Sequence, residues 1–210
     1  TSLTLYSHPM SRGRIIRWLL EEIGAPYDYK AVDYGPAMKG PDYRAINLMG
    51  KVPALVHDGV AVTECAAICA YLADAFPPPR LAPAVNSPAR GAYYRWLFFA
   101  AGPLEQAATA KAIGWEVPPG RSGMVGFGSY GETMDALEDA VKDRAFIVGD
   151  SFSAADVYVG SHLGWGLQFG SIERRPAFEA YWARLAARPA NVRAAALDDA
   201  LLPLHPVPGM

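Results

Sequence analysis

The chain has 210 residues, 51% of them apolar and 19% charged, which supplies enough apolar side chain for a core and is unlike a disordered composition. A formal net charge of -2 gives no positive excess to hold a phosphate backbone or an anionic lipid surface, so neither nucleic acid nor membrane is an expected partner. Two cysteines, Cys65 and Cys69, make no disulfide framework, are not spaced as C-x-x-C and have too few companions for a zinc site, so no metal is expected.

Arg14, Arg17, Glu21 and Glu22 interrupt the first apolar stretch at helical intervals, and no run approaches the roughly 20 residues of a spanning helix. The start lacks the basic, apolar, small-residue order of a secretory signal, and a cytoplasmic protein is the expectation. In chain order the patterning predicts a strand over 3–6, a helix over 13–23, a strand over 27–32, an irregular segment, strands over 53–57 and 60–62 joined by an Asp58-Gly59 turn, and a helix over 64–76. Five prolines within residues 77–88 forbid regular helix or central strand. The expected division is therefore an α/β domain over 1–78, a linker over 79–88 and an all-helical domain over 89–210.

Beyond the linker, apolar residues recur at three- and four-residue spacing over 89–112, 132–142, 154–169 and 177–188. The interruption at 114–131 holds six glycines and two prolines and reads as a loop or a pair of helix ends. Ser153 and Asp156 form a capping box for the helix that follows, a structural role. Gly126 to Gly131 spells G-x-G-x-x-G, but it stands between helical segments and not after a strand, which argues against a dinucleotide site.

Four segments narrow the reading: Leu5-Tyr6-Ser7-His8-Pro9-Met10-Ser11, Asn47 through Leu55, Thr63 through Ile68, and the capping box at Ser153. Taken jointly and in this order they resemble the cytosolic glutathione S-transferases, over essentially the whole chain. The resemblance implies a thioredoxin-like domain that binds glutathione as co-substrate, followed by a helical domain that supplies the pocket for a hydrophobic electrophile, in a homodimer. It also implies a cis bond at Val52-Pro53, where the Val52 amide and carbonyl meet the ligand backbone as an added strand does. Glu64 and Cys65 then receive the γ-glutamyl end, with Glu64 toward the ammonium and the first amides of the following helix toward the carboxylate. Lys51 and Lys39 are the candidates for the glycyl carboxylate. Two positions depart from the family: Cys65 stands where serine is usual, and Leu48 where proline is common.

Conjugation needs the glutathione thiolate, and an unperturbed thiol with a pKa near 8.5 is mostly protonated at neutral pH. Ser11 follows the first strand and precedes the first helix, where its hydroxyl has a thiolate to donate to and the helix N-terminus adds favourable potential. His8-Pro9-Met10-Ser11 resembles the catalytic-serine segment of plant and bacterial members. Tyr6 is the second candidate, since other classes use a tyrosine at the end of the first strand, and Ser7 the third. His8 reads as a surface residue beside the turn. Trp115, next to the glycine-rich stretch, is the candidate contact for the electrophile. Two other functions stay open on sequence: a glutathione-dependent disulfide or peroxide reductase on the same fold, and a non-catalytic interaction module.

Overall fold

The computed structural model describes residues 1–209. The chain divides into two compact units, one of residues 1–79 together with the chain from Arg188 onward, the other of Arg80–Ala187. This differs from the sequence-based assignment of 89–210 to one helical domain: residues 188–209 cluster with the first unit.

The first unit is built on strands β1 (Leu3–Ser7), β2 (Asp28–Ala31), β3 (Ala54–His57) and β4 (Val60–Thr63), in spatial order β2-β1-β3-β4. β2 runs parallel to β1, while β3 is antiparallel to β1 and β4 antiparallel to β3. With helices α1 (Gly13–Ile23) and α4 (Cys65–Ala75), and the short helical turns α2 (Pro36–Lys39) and α3 (Pro41–Arg44), this is a thioredoxin-like α/β domain. The segment expected to be irregular contains those two turns. The hairpin forms as its Asp-Gly pair dictates, with Asp58 and Gly59 both at positive φ, 47° and 84°.

α1 buries Ile15, Ile16, Leu19, Leu20 and Ile23, spaced three and four apart, and stops at Gly24, whose left-handed backbone (φ 73°) returns its N–H to the Leu20 carbonyl. Its start approaches β1 so closely that a Cβ on Gly13 would sit 1.7 Å from Ser7 Oγ, which only glycine avoids.

Helix α10 (Pro189–Leu201) packs along α1, and no helix was read there from sequence. Its buried residues are Ala190, Ala194 and Asp198, four apart, so the docking stripe carries small and charged side chains where a periodicity search looks for large apolar ones. Arg17 and Asp198 are both buried, with Nη1 and Oδ1 3.0 Å apart, and the Arg17 guanidinium lies 3.6 Å from the centre of the Tyr29 ring. Burial pushes the Asp198 carboxyl up to about 6, against the opposing pull of Arg17. Between about pH 4 and 6 the folded chain thus holds a proton at Asp198 that the unfolded chain has lost, and this group's contribution to stability falls as pH rises through that window. In urea titrations across it, wild type is expected to lose stability relative to Asp198→Asn; parallel curves would remove the assignment.

The second unit is helical: α5 (Ala89–Phe99), α6 (Glu105–Ile113), α7 (Tyr130–Val141), α8 (Ala154–Phe169) and α9 (Pro176–Ala186). The single helix expected over 89–112 is broken into α5 and α6 by a π-helical turn, Ala100–Leu104, that contains Pro103; proline removes a backbone donor and crowds the preceding turn. α8 is buried on nearly every side, and a Cβ on Gly164 or Gly166 would strike Trp182 or Ile172. The capping box forms as read: Ser153 Oγ accepts from the Ala155 amide and Asp156 accepts from the Ser153 amide. Asp156 is fully buried and also accepts from the Ile147 amide (2.8 Å) and the Tyr181 hydroxyl (2.5 Å), joining the loop before α8, α8 itself and α9. The G-x-G-x-x-G stretch ends in the start of α7, where Ser129 caps the Glu132 amide, and no strand precedes it. Among the described residues no helix is long and apolar enough to cross a membrane.

Candidate active site

Strand register gathers the candidate residues at one end of the sheet. Tyr6 pairs with Ala54 and Ala54 with Thr63, so the ends of β1 and β4 and the start of β3 lie side by side. The loop carrying Ser11 leaves that row after Ser7, Val52-Pro53 enters it just before Ala54, and Glu64-Cys65 leaves it after Thr63. The Val52-Pro53 bond is cis. Cys65 Sγ lies 3.9 Å from the Arg12 carbonyl, joining the start of α4 to the start of α1.

In the β1–α1 loop the backbone carbonyls are taken in turn. Ser11 Oγ donates to the His8 carbonyl (2.7 Å), the Arg14 guanidinium donates to the Pro9 carbonyl, and the Tyr34 hydroxyl donates to the Met10 carbonyl (2.8 Å). Ser11 Oγ also accepts from the Gly13 amide (3.0 Å), filling one of the first unsatisfied donors of α1. Ser11 is partly exposed and the N-terminal end of α1 lies behind it.

His8 is not the surface residue expected from sequence. It is fully buried, its Nδ1 accepts from the Met10 amide (3.0 Å), and its ring stands 4.5 Å from that of Tyr34. Ser7 is likewise buried, facing α1. Tyr6 lies on the opposite face of the sheet, packed in the cluster of Val32, Met38, Tyr43 and Ala54, with its ring 6.1 Å from Tyr43 and the Lys30 ammonium 5.5 Å away.

The loop before β3 is held by Asn47, which accepts from the Met49 amide and donates to the Lys51 carbonyl, and by the Tyr43 hydroxyl on that same carbonyl. Lys39 donates to the carbonyls of Met49 (3.1 Å) and Gly50 (2.6 Å), so its ammonium braces this loop. Lys51 is exposed. Glu64 is exposed too and carries a left-handed backbone, φ 71° and ψ 122°, which is costly for any residue with a Cβ and is the kind of strain that collects at ligand sites. Cys65 is buried at the first turn of α4, and Cys69, one turn further, is fully buried with its thiol pushed well up by burial. Trp115 belongs to the helical unit, where it follows α6 and is 59% exposed. Among the described residues no group of three or more His, Cys, Asp or Glu is arranged to hold a metal ion.

Comparison with known proteins identifies the family. Residues 1–74 match the N-terminal domain of glutathione S-transferase and residues 106–184 its C-terminal domain. A glutathione S-transferase of Escherichia coli is 32% identical over 174 residues, 81% of this chain and 86% of that protein. The chain belongs to the glutathione S-transferase family.

Two solved glutathione S-transferases have the same fold. The bacterial beta class protein of Sphingomonas chungbukensis superposes with a TM-score of 0.76 at 29% identity, covering 93% of this chain and 98% of that one. A sphingomonad glutathione S-transferase complexed with glutathione gives 0.77 at 30% identity, with the same coverage. The family fold is thus present in both domains. The features of its site that the sequence left unread are Tyr34, which holds the Met10 carbonyl, and the segment after α10. Within α10 Asp199 accepts from Arg14 (2.7 Å), and after it His205 bonds Asp33 (2.7 Å). Only the Asn47 turn had a local signal, an asparagine three residues before glycine.

Proposed function

We propose that the protein binds glutathione at this end of the sheet, stabilises it as the thiolate and directs it at an electrophilic carbon of a hydrophobic compound. The observation that carries the proposal is the convergence of Ser11, the cis Val52-Pro53 bond and the strained Glu64 on neighbouring strand ends. Ser11 is the activating donor in this reading. Its hydroxyl turns from the His8 carbonyl to the sulfur, while the Gly13 amide and the α1 N-terminus add positive potential. Tyr6 is the second candidate activator. The Val52 amide and carbonyl meet the cysteinyl backbone of glutathione, Glu64 its ammonium, and the first amides of α4 at Cys65 its γ-glutamyl carboxylate. Lys51 takes the glycyl carboxylate, supported by Lys39, and Trp115 is the contact offered to the electrophile.

The mechanism is nucleophilic substitution or addition by sulfur. The thiol proton leaves to solvent as glutathione binds, the sulfur electron pair forms the new carbon–sulfur bond, and in substitution the leaving group departs with its bonding pair. Initial rates with an aryl halide and with a dialkyl disulfide test it: turnover of the halide above the solution rate supports transfer, and turnover of the disulfide alone replaces transfer by reduction. Lys51→Ala is expected to raise KM for glutathione about tenfold with kcat little changed, the loss of one charge-assisted bond made equally in ground and transition states. An unchanged KM removes Lys51 from the site. The proposal includes a homodimer, which light scattering at the mass of one chain would overturn.

A further inference from the structure

We infer that His8 is a positioning residue for the Ser11 loop, acting as a neutral imidazole whose Nδ1 holds the Met10 amide while Tyr34 holds the Met10 carbonyl. The inference rests on the reading of Ser11 as the thiol activator and adds what keeps that hydroxyl in place. Both polar backbone groups of Met10, the residue before Ser11, are fixed by side chains: the amide by His8 at 3.0 Å and the carbonyl by the Tyr34 hydroxyl at 2.8 Å. The two rings that do this pack on each other with centroids 4.5 Å apart. His8 is completely buried, and its own carbonyl accepts the Ser11 hydroxyl. A shift of His8 therefore moves the amide before Ser11 and the acceptor of Ser11 together.

The bond to Met10 fixes the tautomer. An acceptor at Nδ1 leaves the proton on Nε2, which lies 4.0 Å from Asp33 Oδ1 and beyond hydrogen-bond distance of any described acceptor. Asp33 is in turn held by His205 of the C-terminal tail at 2.7 Å, and the His205 ring lies 6.2 Å from that of His8. The charged and titratable groups around the imidazole are thus Asp33 after β2, Tyr34 beside it, His205 from the tail, and Arg12 at the start of α1, which acts on Tyr34. Burial, which outweighs the attraction of Asp33, keeps the imidazole below its ordinary value of 6.5. If it is protonated, Nδ1 becomes a donor facing the Met10 N–H, and the loop must open.

The test uses the whole protein and two variants. Asparagine carries an acceptor near the Nδ1 position and does not titrate, whereas alanine has neither property. Amide exchange of Met10, read by NMR, needs no glutathione and reports the clamp directly. The thiolate absorbance of bound glutathione reports its consequence. Met10 exchange is expected to rise at least about tenfold in His8→Ala and to return near the wild-type rate in His8→Asn. Wild type should lose Met10 protection on acidification, at a pH lower than an ordinary imidazole would require, and His8→Asn should not. Unchanged exchange in His8→Ala, or parallel pH profiles in wild type and His8→Asn, overturns the inference; the second comparison stands even where the alanine variant does not fold. The two readings separate cleanly. A wild type that forms no thiolate removes the role of Ser11, while Met10 exchange still decides the role of His8.

Discussion

Asp156→Ala is expected to lower the stability of the protein by about 4 kcal/mol, a large share of the roughly 5–15 kcal/mol that holds a domain folded. The carboxylate is fully buried and accepts from the Ser153 and Ile147 amides and the Tyr181 hydroxyl. Alanine leaves these donors without a partner in a place water reaches poorly, at roughly 1–3 kcal/mol for each, and half of the α8 cap goes with them. Burial raises the Asp156 carboxyl pKa while its hydrogen bonds oppose the rise, so the group sits in a balance that a neutral side chain cannot reproduce. Ser153→Ala, which removes only the hydroxyl at the cap, should cost about 1 kcal/mol. Urea denaturation followed by circular dichroism measures both. A loss below about 1 kcal/mol for Asp156→Ala would contradict the account of α8 as anchored through this carboxylate.

Ser11→Ala is expected to lower kcat for conjugation about 10- to 100-fold at neutral pH while KM for glutathione changes little. A hydrogen bond to a charged acceptor contributes about 1.5–3 kcal/mol, and each pKa unit of thiol acidity corresponds to about 1.4 kcal/mol, so the bound thiol should become weaker by one to two units. The deficit should therefore shrink as pH rises and the thiol ionises unaided. The substitution also removes the cap on the Gly13 amide, at about 1 kcal/mol of stability. Ser11→Thr keeps the hydroxyl and separates the two effects: it should recover most of kcat. A Ser11→Ala enzyme with wild-type kcat would move the role to Tyr6 or to the α1 N-terminus alone.

Much of the fold was legible because its signals are local. The Asp58-Gly59 turn, the helix over 13–23 and the Ser153-Asp156 box each act over a few residues, and each formed as read. The α10 helix was missed because α1 accepts it through alanines and a buried carboxylate, which no apolar period marks. Likewise Pro103 bends one predicted helix into two, and the register of 89–112 alone gives no sign of how the freed carbonyls are met. At the site, the segments that carry Ser11, Pro53 and Glu64 were visible as motifs. The side chains that hold them were not: Tyr34 lies 24 residues from Met10, and His205 lies 172 residues from Asp33, distances that only strand pairing and helix docking close. His8 was misjudged for the same reason, since its burial comes from Tyr34 and the C-terminal tail.

In the proposed mechanism Ser11 lowers the pKa of bound glutathione. The most direct measurement is the ultraviolet thiolate band of the glutathione complex across a pH series, with wild type, Ser11→Ala and Tyr6→Phe side by side. A thiolate band is expected in wild type at neutral pH, displaced upward by about one to two pH units in Ser11→Ala and unmoved in Tyr6→Phe. A band that is identical in Ser11→Ala, or that moves with Tyr6→Phe instead, would contradict that mechanism.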